Sequence, residues 1–237
     1  MSVLSFDSVS YKYAGANAPY ILRDASAHFE KGVFYSIIGP SGSGKTTALA
    51  LAGGLDTPTA GRVLFEDQDI RAIGYTAYRR RNVALVFQNY NLIPYMTAVE
   101  NVMLSMEIGG THRGERKKRA EDLLASMGLA EGELRRPVVR LSGGQQQRVA
   151  VARALAGEAP LILADEPTGN LDSESAADMI AVFQSLARER GRCVIVVSHS
   201  AEVAKASDVI LRFRNKTLEL VNLPTKKSRD DTPPGPA

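Results

Sequence analysis

A glycine-rich loop is the most specific chemical pattern in this 237-residue sequence. The octapeptide Gly39–Thr46 reads Gly-Pro-Ser-Gly-Ser-Gly-Lys-Thr and follows a strand-like apolar run at Phe34–Ile38. In that context, successive backbone N–H groups and the positive end of the following helix dipole point at phosphate groups. We expect Lys45 to reach the β- and γ-phosphates of ATP, and Thr46 to ligate Mg²⁺. The nucleotide contacts predicted around the loop are Gly39, Pro40, Ser41, Gly42, Ser43, Gly44, Lys45, Thr46 and Thr47.

Two adjacent carboxylates, Asp165 and Glu166, follow the apolar run Leu161–Ala164. Beside a phosphate-binding loop, we expect the first to hold Mg²⁺, directly or through water. We expect the second to act as general base toward the attacking water. The metal would neutralise one carboxylate while the other stays free to accept a proton. The structural alternative is that both are acidic turn residues at the end of a strand.

A second anion-binding pattern lies at Leu141–Gln145, which reads Leu-Ser-Gly-Gly-Gln. Ser142 is suited to cap the helix that follows, and the two glycines allow an anion to approach the N–H groups of its first turn. The string resembles the signature of the ABC ATPases, in which the signature of one subunit completes the ATP site of its partner. The resemblance implies ATP and Mg²⁺ as cofactors and a homodimer. The implied contacts to the nucleotide of the partner are Ser142, Gly143, Gly144 and Gln145.

Four more residues occupy positions where the same family has functional side chains. Tyr13 resembles the aromatic that stacks on adenine, although Tyr11 and Tyr13 alternate on a strand and either could simply pack. Gln88 resembles the glutamine that touches Mg²⁺ and senses the nucleotide, and His199 resembles the histidine that contacts the γ-phosphate. Asp172 resembles the aspartate of a loop that couples the two sites, and it could also begin the next helix. The implied catalytic residues are Glu166, His199, Gln88 and Lys45, and the implied metal ligands are Thr46, Gln88 and Asp165.

Two longer strings narrow the resemblance. Gly53–Gly61 and Val86–Pro94 are similar to the ATPases of the macrolide-export and lipoprotein-release (MacB/LolD-like) type. This resemblance implies a separate membrane permease of the FtsX/MacB-like kind, with four expected spans, in an exporter that transmits force across the membrane. One departure is Arg214–Lys216, because the family usually has an Asp-Gly turn there. That departure weakens the prediction of a tight glycine turn.

Short apolar runs alternate with helical patterns along most of the chain. The strand-like runs are Val3–Phe6, Val33–Ile38, Arg62–Phe65, Val83–Phe87, Leu161–Ala164, Cys193–Val197, Val209–Phe213 and Leu218–Val221. The helical patterns are Gly44–Ala52, Ala120–Met127, Gln145–Ala156, Ser173–Arg190 and Ala201–Lys205. This alternation predicts an α/β fold with a mostly parallel sheet. The resemblance implies a P-loop NTPase core whose mixed sheet is joined by an N-terminal antiparallel β part.

A stretch without strand-like runs, at about 89–139, predicts a helical subdomain inserted into the α/β core. A capping box at Thr97 and Glu100 opens one of its helices, and a basic helix runs through Arg119. The ABC ATPase domain is expected to span 1–223, and the Pro-rich, charged segment 224–237 is expected to be a disordered tail.

Large side chains just after Gln88 could receive the permease. Tyr90, Leu92, Ile93 and Tyr95 would form a groove for a short cytoplasmic helix of that partner. The alternative is that they only pack the insert onto the core.

Composition limits the classes of partner and location. A net charge of +3 and a pI of about 9.0 do not require nucleic acid, and we interpret the basic clusters Arg79–Arg81 and Arg113–Arg119 as solvated faces. The single cysteine, Cys193, is expected to be buried and fits a reducing cytoplasm. No signal peptide is expected, and no apolar stretch approaches the roughly 18 residues of a membrane span. We therefore expect a peripheral protein on the cytoplasmic face of the cell membrane, held there by the permease.

A soluble ABC ATPase that acts on nucleic acid or the ribosome is the main alternative function. DNA-repair members carry a long coiled coil, whereas no heptad run lies between Gln88 and Ser142. Translation-factor members carry two ATPase domains, whereas this sequence has one phosphate loop and one signature. A regulatory nucleotide binder without activity is disfavoured by the presence of Glu166 and His199.

Overall fold

A six-stranded sheet forms the centre of the computed structural model, which describes residues 2–15 and 18–221. Its strands lie in the order β10-β9-β3-β8-β7-β6, and neighbouring strands are parallel except for β9 and β10. The strands are β3 Phe34–Ile38, β6 Val83–Val86, β7 Leu161–Asp165, β8 Cys193–Val197, β9 Val209–Arg214 and β10 Thr217–Val221. The predicted α/β fold with a mixed, mostly parallel sheet is confirmed.

The central strands are apolar throughout because both faces of the sheet are covered. In β8, Cys193 and Ile195 face the cluster that includes α1 (Lys45–Ala52), whereas Val194 and Val196 face the cluster that includes α8 (Ser173–Arg188). Successive side chains of a strand point to opposite faces, so a strand between two covers needs apolar residues at every position. Burial also raises the pKa of the Cys193 thiol to about 12, as expected for an inert thiol.

A four-stranded antiparallel sheet packs on the α1 side of the central sheet. Its strands are β1 Ser2–Tyr11, β2 Leu22–Glu30, β4 Ala60–Phe65 and β5 Gln68–Asp69. Strands β2 and β5 are not among the predicted elements. In β2, the buried residues Leu22, Ala25, Ala27 and Phe29 are separated by polar or charged residues, so no continuous apolar run marks the strand. The antiparallel N-terminal part itself is confirmed.

Helices cover the sheets and fill the connection between β6 and β7. They are α1 Lys45–Ala52, α2 Ile70–Ile73, α3 Tyr75–Asn82, α4 Ala98–Gly109, α5 Arg116–Ser126, α6 Glu131–Leu134, α7 Gly143–Leu155, α8 Ser173–Arg188 and α9 Ala201–Ala206. Helix α3 is not among the predicted elements because it is polar. Its buried Tyr78 donates a hydrogen bond to the carbonyl of Ala52, which attaches the helix to α1. The basic cluster forms its last turn, where Arg79 donates to the carbonyl of Gly54 while Arg80 and Arg81 are exposed.

The described chain between β6 and β7 contains helices and no strand. Helices α4, α5 and α7 share a hydrophobic cluster that includes Val102, Leu124 and Val149. The capping box is present, since the Thr97 hydroxyl accepts from the N–H of Glu100 and the Glu100 carboxylate accepts from the N–H of Thr97. The basic helix is α5. The limits 89–139 of a subdomain and 1–223 of one domain stay predictions.

The turn between β9 and β10 is tight although it has no glycine. Asn215 and Lys216 have φ angles of 50° and 65°, and the flanking Arg214 and Thr217 pair across the hairpin. Two successive left-handed residues match the twist of a two-residue hairpin. The departure from the family's Asp-Gly pattern therefore leaves the turn intact. The tail expected at 224–237 lies outside the described residues.

Among the residues described, no helix has both the length and the apolar character that crossing a bilayer demands.

Candidate functional site

The glycine-rich loop joins the carboxyl end of β3 to α1. Gly42 and Gly44 have φ angles of 72° and 115°, a backbone conformation that residues with a side chain rarely adopt. A Cβ on Gly44 would lie 2.7 Å from the Ile21 side chain and 2.9 Å from the Phe213 ring. The glycine pattern is therefore required by backbone geometry and by the close approach of neighbouring side chains.

The side chain of Lys45 folds back into this loop. It is buried, and its Nζ donates to the carbonyl oxygens of Gly39 and Pro40, each at 2.9 Å. An ammonium group has three N–H donors, so one remains for an anion. The hydroxyl oxygen of Ser43 is buried and has no hydrogen-bond partner among the described residues. These donors suit the oxygens of a phosphate group.

Oxygen atoms from the loop and from β7 meet where a cation would be bound. The Thr46 hydroxyl donates to the Asp165 carboxylate at 3.3 Å. Burial raises the pKa of Asp165, and the adjacent Glu166 raises it further. A hydroxyl and a carboxylate are hard oxygen ligands of the kind that Mg²⁺ takes together with phosphate oxygens. The donor set therefore fits the expected Mg²⁺.

Glu166 follows β7 with a φ angle of 45°, and its N–H donates to the carbonyl of Val197 at 2.9 Å. Its carboxylate accepts from the Ser198 hydroxyl at 3.0 Å and from the N–H of His199 at 3.4 Å. The other carboxylate oxygen lies 2.9 Å from Nδ1 of His199. Because β7 and β8 are parallel neighbours, their carboxyl ends bring Glu166 and His199 together.

Gln88 lies beside the loop that follows Glu166. The backbone carbonyl oxygen of Gln88 accepts from the side-chain amide of Asn170 at 3.4 Å. Its Nε2 lies 3.9 Å from the position that a Cβ of Gly169 would take. Strand β6, which precedes Gln88, pairs in parallel with β7. The structure therefore places Gln88 at the same edge of the sheet as the two carboxylates.

The two tyrosines near the N-terminus differ in exposure. The Tyr13 ring is 56% exposed, and its hydroxyl lies 3.3 Å from that of Thr47 in the first turn of α1. Tyr11 is buried, and its hydroxyl bonds the Asp56 carboxylate. An accessible ring beside α1 remains available for stacking, whereas the Tyr11 ring is part of the core.

The signature residues lie at the N-terminus of α7. Ser142 caps the helix through Gln145, in a capping box that matches the predicted cap. Ser142 and Gly143 are exposed. Among the described residues, no hydrogen bond joins Ser142–Gln145 to the phosphate loop of the same chain. The structure does not bring the signature together with the phosphate loop in one protomer.

Asp172 begins α8. Its carboxylate accepts from the N–H and the hydroxyl of Ser175, at 2.8 Å and 3.0 Å, and these bonds lower its pKa. Asp172 therefore caps the helix that follows it, which is the structural alternative predicted for this residue. The carboxylate is also exposed, so a contact with a partner subunit is sterically open.

Ser198 is a site residue that the sequence analysis does not select. It is buried between β8 and His199, and it bonds the Glu166 carboxylate and the N–H of Ser200. The available signal was a hydroxyl residue directly after a buried strand that leads to a site histidine. That signal is weak because serine often follows strands for local reasons.

Comparison with known proteins decides the family. The ABC transporter family model matches residues 22–169. The chain is also 46% identical over 213 residues to the uncharacterized ABC transporter ATP-binding protein YclH of Bacillus subtilis, and the match covers 90% of this chain and 94% of YclH. The chain belongs to the ABC transporter family.

Two other ABC relatives carry the names of the predicted subfamilies. The lipoprotein-releasing system ATP-binding protein LolD of Maricaulis maris is 41% identical, with 89% of this chain and 93% of LolD covered. The macrolide export ATP-binding/permease protein MacB of Syntrophobacter fumaroxidans is 43% identical. The match covers 89% of this chain and 30% of MacB, which is the longer protein. The predicted resemblance is confirmed.

A solved structure agrees with both the fold and the activity of an ABC ATPase. The dimeric, post-hydrolysis structure of the ATP-binding cassette MJ0796 bound to ADP and Pi has a TM-score of 0.84 and 39% identity. The similarity covers 91% of this chain and 96% of MJ0796. This chain is therefore an ABC ATPase with the P-loop NTPase fold.

Proposed function

We propose that this ABC ATPase hydrolyses Mg-ATP as a homodimer on a separate membrane permease, at the cytoplasmic face of the membrane, and so drives an exporter. The observation that carries the proposal is the meeting of Thr46, Asp165 and Glu166 at one edge of the central sheet. A metal-ligating pair beside a carboxylate base is the arrangement that phosphoryl transfer to water needs.

Lys45 and the backbone of the loop would hold the β- and γ-phosphates. Thr46, Asp165 and Gln88 would hold Mg²⁺, and the accessible ring of Tyr13 would stack on adenine. The contribution of Mg²⁺, when bound, is to neutralise charge on the phosphate oxygens as the terminal bond breaks. The Thr46–Asp165 bond and the position of Gln88 beside Gly169 support this assignment.

Glu166 would accept a proton from the attacking water, and His199 would contact the γ-phosphate. The bonds from Ser198 and His199 support this role because they fix both carboxylate oxygens of Glu166 at the end of β7. A base that is already oriented does not have to be ordered during the reaction.

The signature would serve the ATP site of a partner subunit. Ser142 and Gly143 present the N-terminus of α7 to solvent, where free N–H groups attract anions. Gly144 and Gln145 continue that turn, and Asp172 would lie at the same interface. The dimeric structure of the similar protein MJ0796 supports an assembly in which two such chains face each other.

The permease would dock on Ile93 and Tyr95. Tyr95 is 88% exposed and Ile93 is exposed as well, although both are apolar or aromatic. Buried Asn101 holds their loop, since its side chain bonds the N–H and the carbonyl of Ile93 at 2.8 Å and 3.2 Å. The names of MacB, a macrolide export ATP-binding/permease protein, and of LolD, from a lipoprotein-releasing system, support a permease partner and an export role. The FtsX/MacB-like kind of permease, with four spans, is part of the proposal.

Two variants separate nucleotide binding from chemistry. Lys45→Ala removes a cation from the phosphates, so ATP affinity and hydrolysis should both fall. Glu166→Gln keeps the shape and deletes the base, so ATP should still bind while turnover falls roughly 10²-fold. Size-exclusion chromatography of Glu166→Gln with Mg-ATP should show a dimer that ADP does not produce.

The control is Lys12→Ala, which removes a partly buried cation that lies over the Tyr20 ring and outside the phosphate loop. Normal turnover in Lys45→Ala would contradict the assignment of the loop. A Glu166→Gln protein that stays monomeric with saturating Mg-ATP would contradict the homodimer.

A further inference from the structure

A partly buried arginine on α7, the signature helix that begins after Ser142, binds backbone carbonyls of the segment that follows Gln88. Arg153, in the third turn of α7, donates from Nη2 to the carbonyl of Tyr90 at 2.9 Å and from Nη1 to the carbonyl of Asn91. Among the described residues it forms no ion pair with a carboxylate. Partial burial lowers the pKa of the Arg153 guanidinium, because the charged form loses part of its hydration. A charged group that loses hydration is stabilised by hydrogen bonds, and the two carbonyls accept from two of the five N–H donors of Arg153.

The two carbonyls are available because the backbone adopts an uncommon conformation. Tyr90 and Asn91 have φ angles of 57° and 50°, in the left-handed region that non-glycine residues seldom occupy. Asparagine tolerates that region, whereas a tyrosine is held there only by its surroundings. The planar fork of one guanidinium bonds the two carbonyls from two different nitrogen atoms in a fixed geometry, which the single nitrogen of a lysine does not reproduce.

The same segment touches the catalytic loop on one side and the signature on the other. On the core side, the Gln88 carbonyl accepts from Asn170. On the α7 side, the Tyr90 hydroxyl lies 3.2 Å from the position that a Cβ of Gly143 would take. Gln88–Asn91 is therefore a short physical connection between the loop after Glu166 and the first residue of the signature helix.

We propose that Arg153 is a positioning residue that fastens Gln88–Asn91 to α7, so that Gln88 and the signature turn move as one unit when ATP is bound and hydrolysed. The proposal rests on the proposed role of Gln88 at the metal. Arg153 touches neither nucleotide nor metal in this scheme and acts only through the segment it holds.

The first test replaces the planar guanidinium of Arg153 by the ammonium group of a lysine. Arg153→Lys should lower kcat roughly tenfold or more while KM for ATP stays within about twofold, because the phosphate loop is intact and only the alignment of the sites is lost. Amide hydrogen exchange of residues 88–92 should become faster in the same variant. The control is Arg188→Lys, which removes a fork that bonds Asp208 at 2.7 Å, away from the segment, and should change neither quantity.

A matched pair at Asn91 tests the same idea without touching α7. Asn91 is exposed, so both substitutions spare the core. Asn91→Val disfavours the left-handed conformation and should reproduce the loss of kcat and the faster exchange. Asn91→Gly permits that conformation and should stay within about twofold of the parent.

The outcomes separate this inference from the proposed function. Normal kcat and normal exchange in Arg153→Lys would overturn the inference. Equal effects of Asn91→Val and Asn91→Gly would overturn it as well, since the backbone conformation would then not matter. If Lys45→Ala abolishes hydrolysis while Arg153→Lys is normal, the ATP site stands and the fastening role of Arg153 is wrong.

Discussion

At the scale of single residues, the proposed catalytic carboxylate of Glu166 is held by a neighbour that has no proposed part in the reaction. Ser198 is buried and donates to the Glu166 carboxylate, while His199 bonds the other oxygen. A carboxylate with two fixed oxygens has fewer orientations to lose in the transition state. Ser198 thereby links the end of β8 to the proposed base at the end of β7.

Ser198→Ala should lower kcat about fivefold and leave KM for ATP unchanged. The expected loss corresponds to roughly 1 kcal/mol, the usual contribution of one hydrogen bond. Steady-state kinetics at saturating Mg-ATP measure it. Ser36→Ala is the control, because Ser36 is equally buried in β3 but bonds Ser207 at 2.8 Å instead of a site residue. If Ser36→Ala lowers kcat as much as Ser198→Ala does, the effect comes from general destabilisation.

At the scale of elements, helix α7 carries both the signature residues and Arg153, which are the two parts of the proposed coupling. Its N-terminus exposes Ser142 and Gly143, and its third turn carries Arg153. The helix is anchored by buried apolar residues such as Val149 and Ala152, which pack against α4 and α5. A rigid helix transmits a displacement of one end to the other, so α7 can couple the contact of Arg153 to the exposed N-terminus at Ser142.

Ser142→Arg should separate monomer binding from dimer function. The arginine places bulk at the exposed helix terminus, so nucleotide affinity of the monomer should change little while ATP-driven dimerisation and hydrolysis collapse. Nucleotide titration of monomers and size-exclusion chromatography with Mg-ATP are the measurements.

The matched control for that variant is Ser142→Ala. It should cost about 1 kcal/mol of stability through the lost cap, but it leaves the surface open. Dimerisation should therefore persist in Ser142→Ala. An equal loss of monomer affinity in Ser142→Arg would instead place the signature in the pocket of its own subunit.

At the scale of the whole molecule, the exposed apolar residues lie in different settings, and only some of them lie near the proposed site. Ile93 and Tyr95 lie on a loop fixed by Asn101, close in sequence to Gln88, whereas Leu220 lies on the edge strand β10. Leu92, from the same segment, packs against the helical cluster instead. Burial thus divides the predicted groove into residues that hold the segment and residues that can meet a partner.

Replacing Ile93 and Tyr95 together by Glu should leave folding and ATP binding intact, because both side chains are exposed. Co-purification with the permease, and any stimulation of ATPase activity by it, should be lost, since aromatic and aliphatic anchors carry most of the energy of such interfaces. Pull-down and ATPase assays with the co-expressed permease measure this. Leu220→Glu is the control for a charge at an exposed apolar position, and normal co-purification of the double variant would place the docking surface elsewhere.

Much of the fold and of the candidate site could be predicted because it is written in local patterns. The apolar run Leu161–Ala164 and the glycine loop before Lys45 are continuous in sequence, and each marks its own element. Strand β2 and helix α3 could not be predicted in this way. The buried residues Ala25, Ala27 and Phe29 of β2 alternate with polar residues, and α3 is attached to α1 by bonds from Tyr78 and Arg79 to residues far away in sequence.

The sequence by itself determined the chemistry: a phosphate loop, a carboxylate pair and a signature are each short strings whose residue types are dictated by what they bind. Only the tertiary structure decided which distant groups support them. The contacts of Ser198 with Glu166 and of Arg153 with Tyr90 join residues on different elements, and no local pattern encodes such a pairing. The physical reason is that hydrogen-bond geometry depends on how strands and helices pack, which is set by the burial of the whole chain rather than by any one segment.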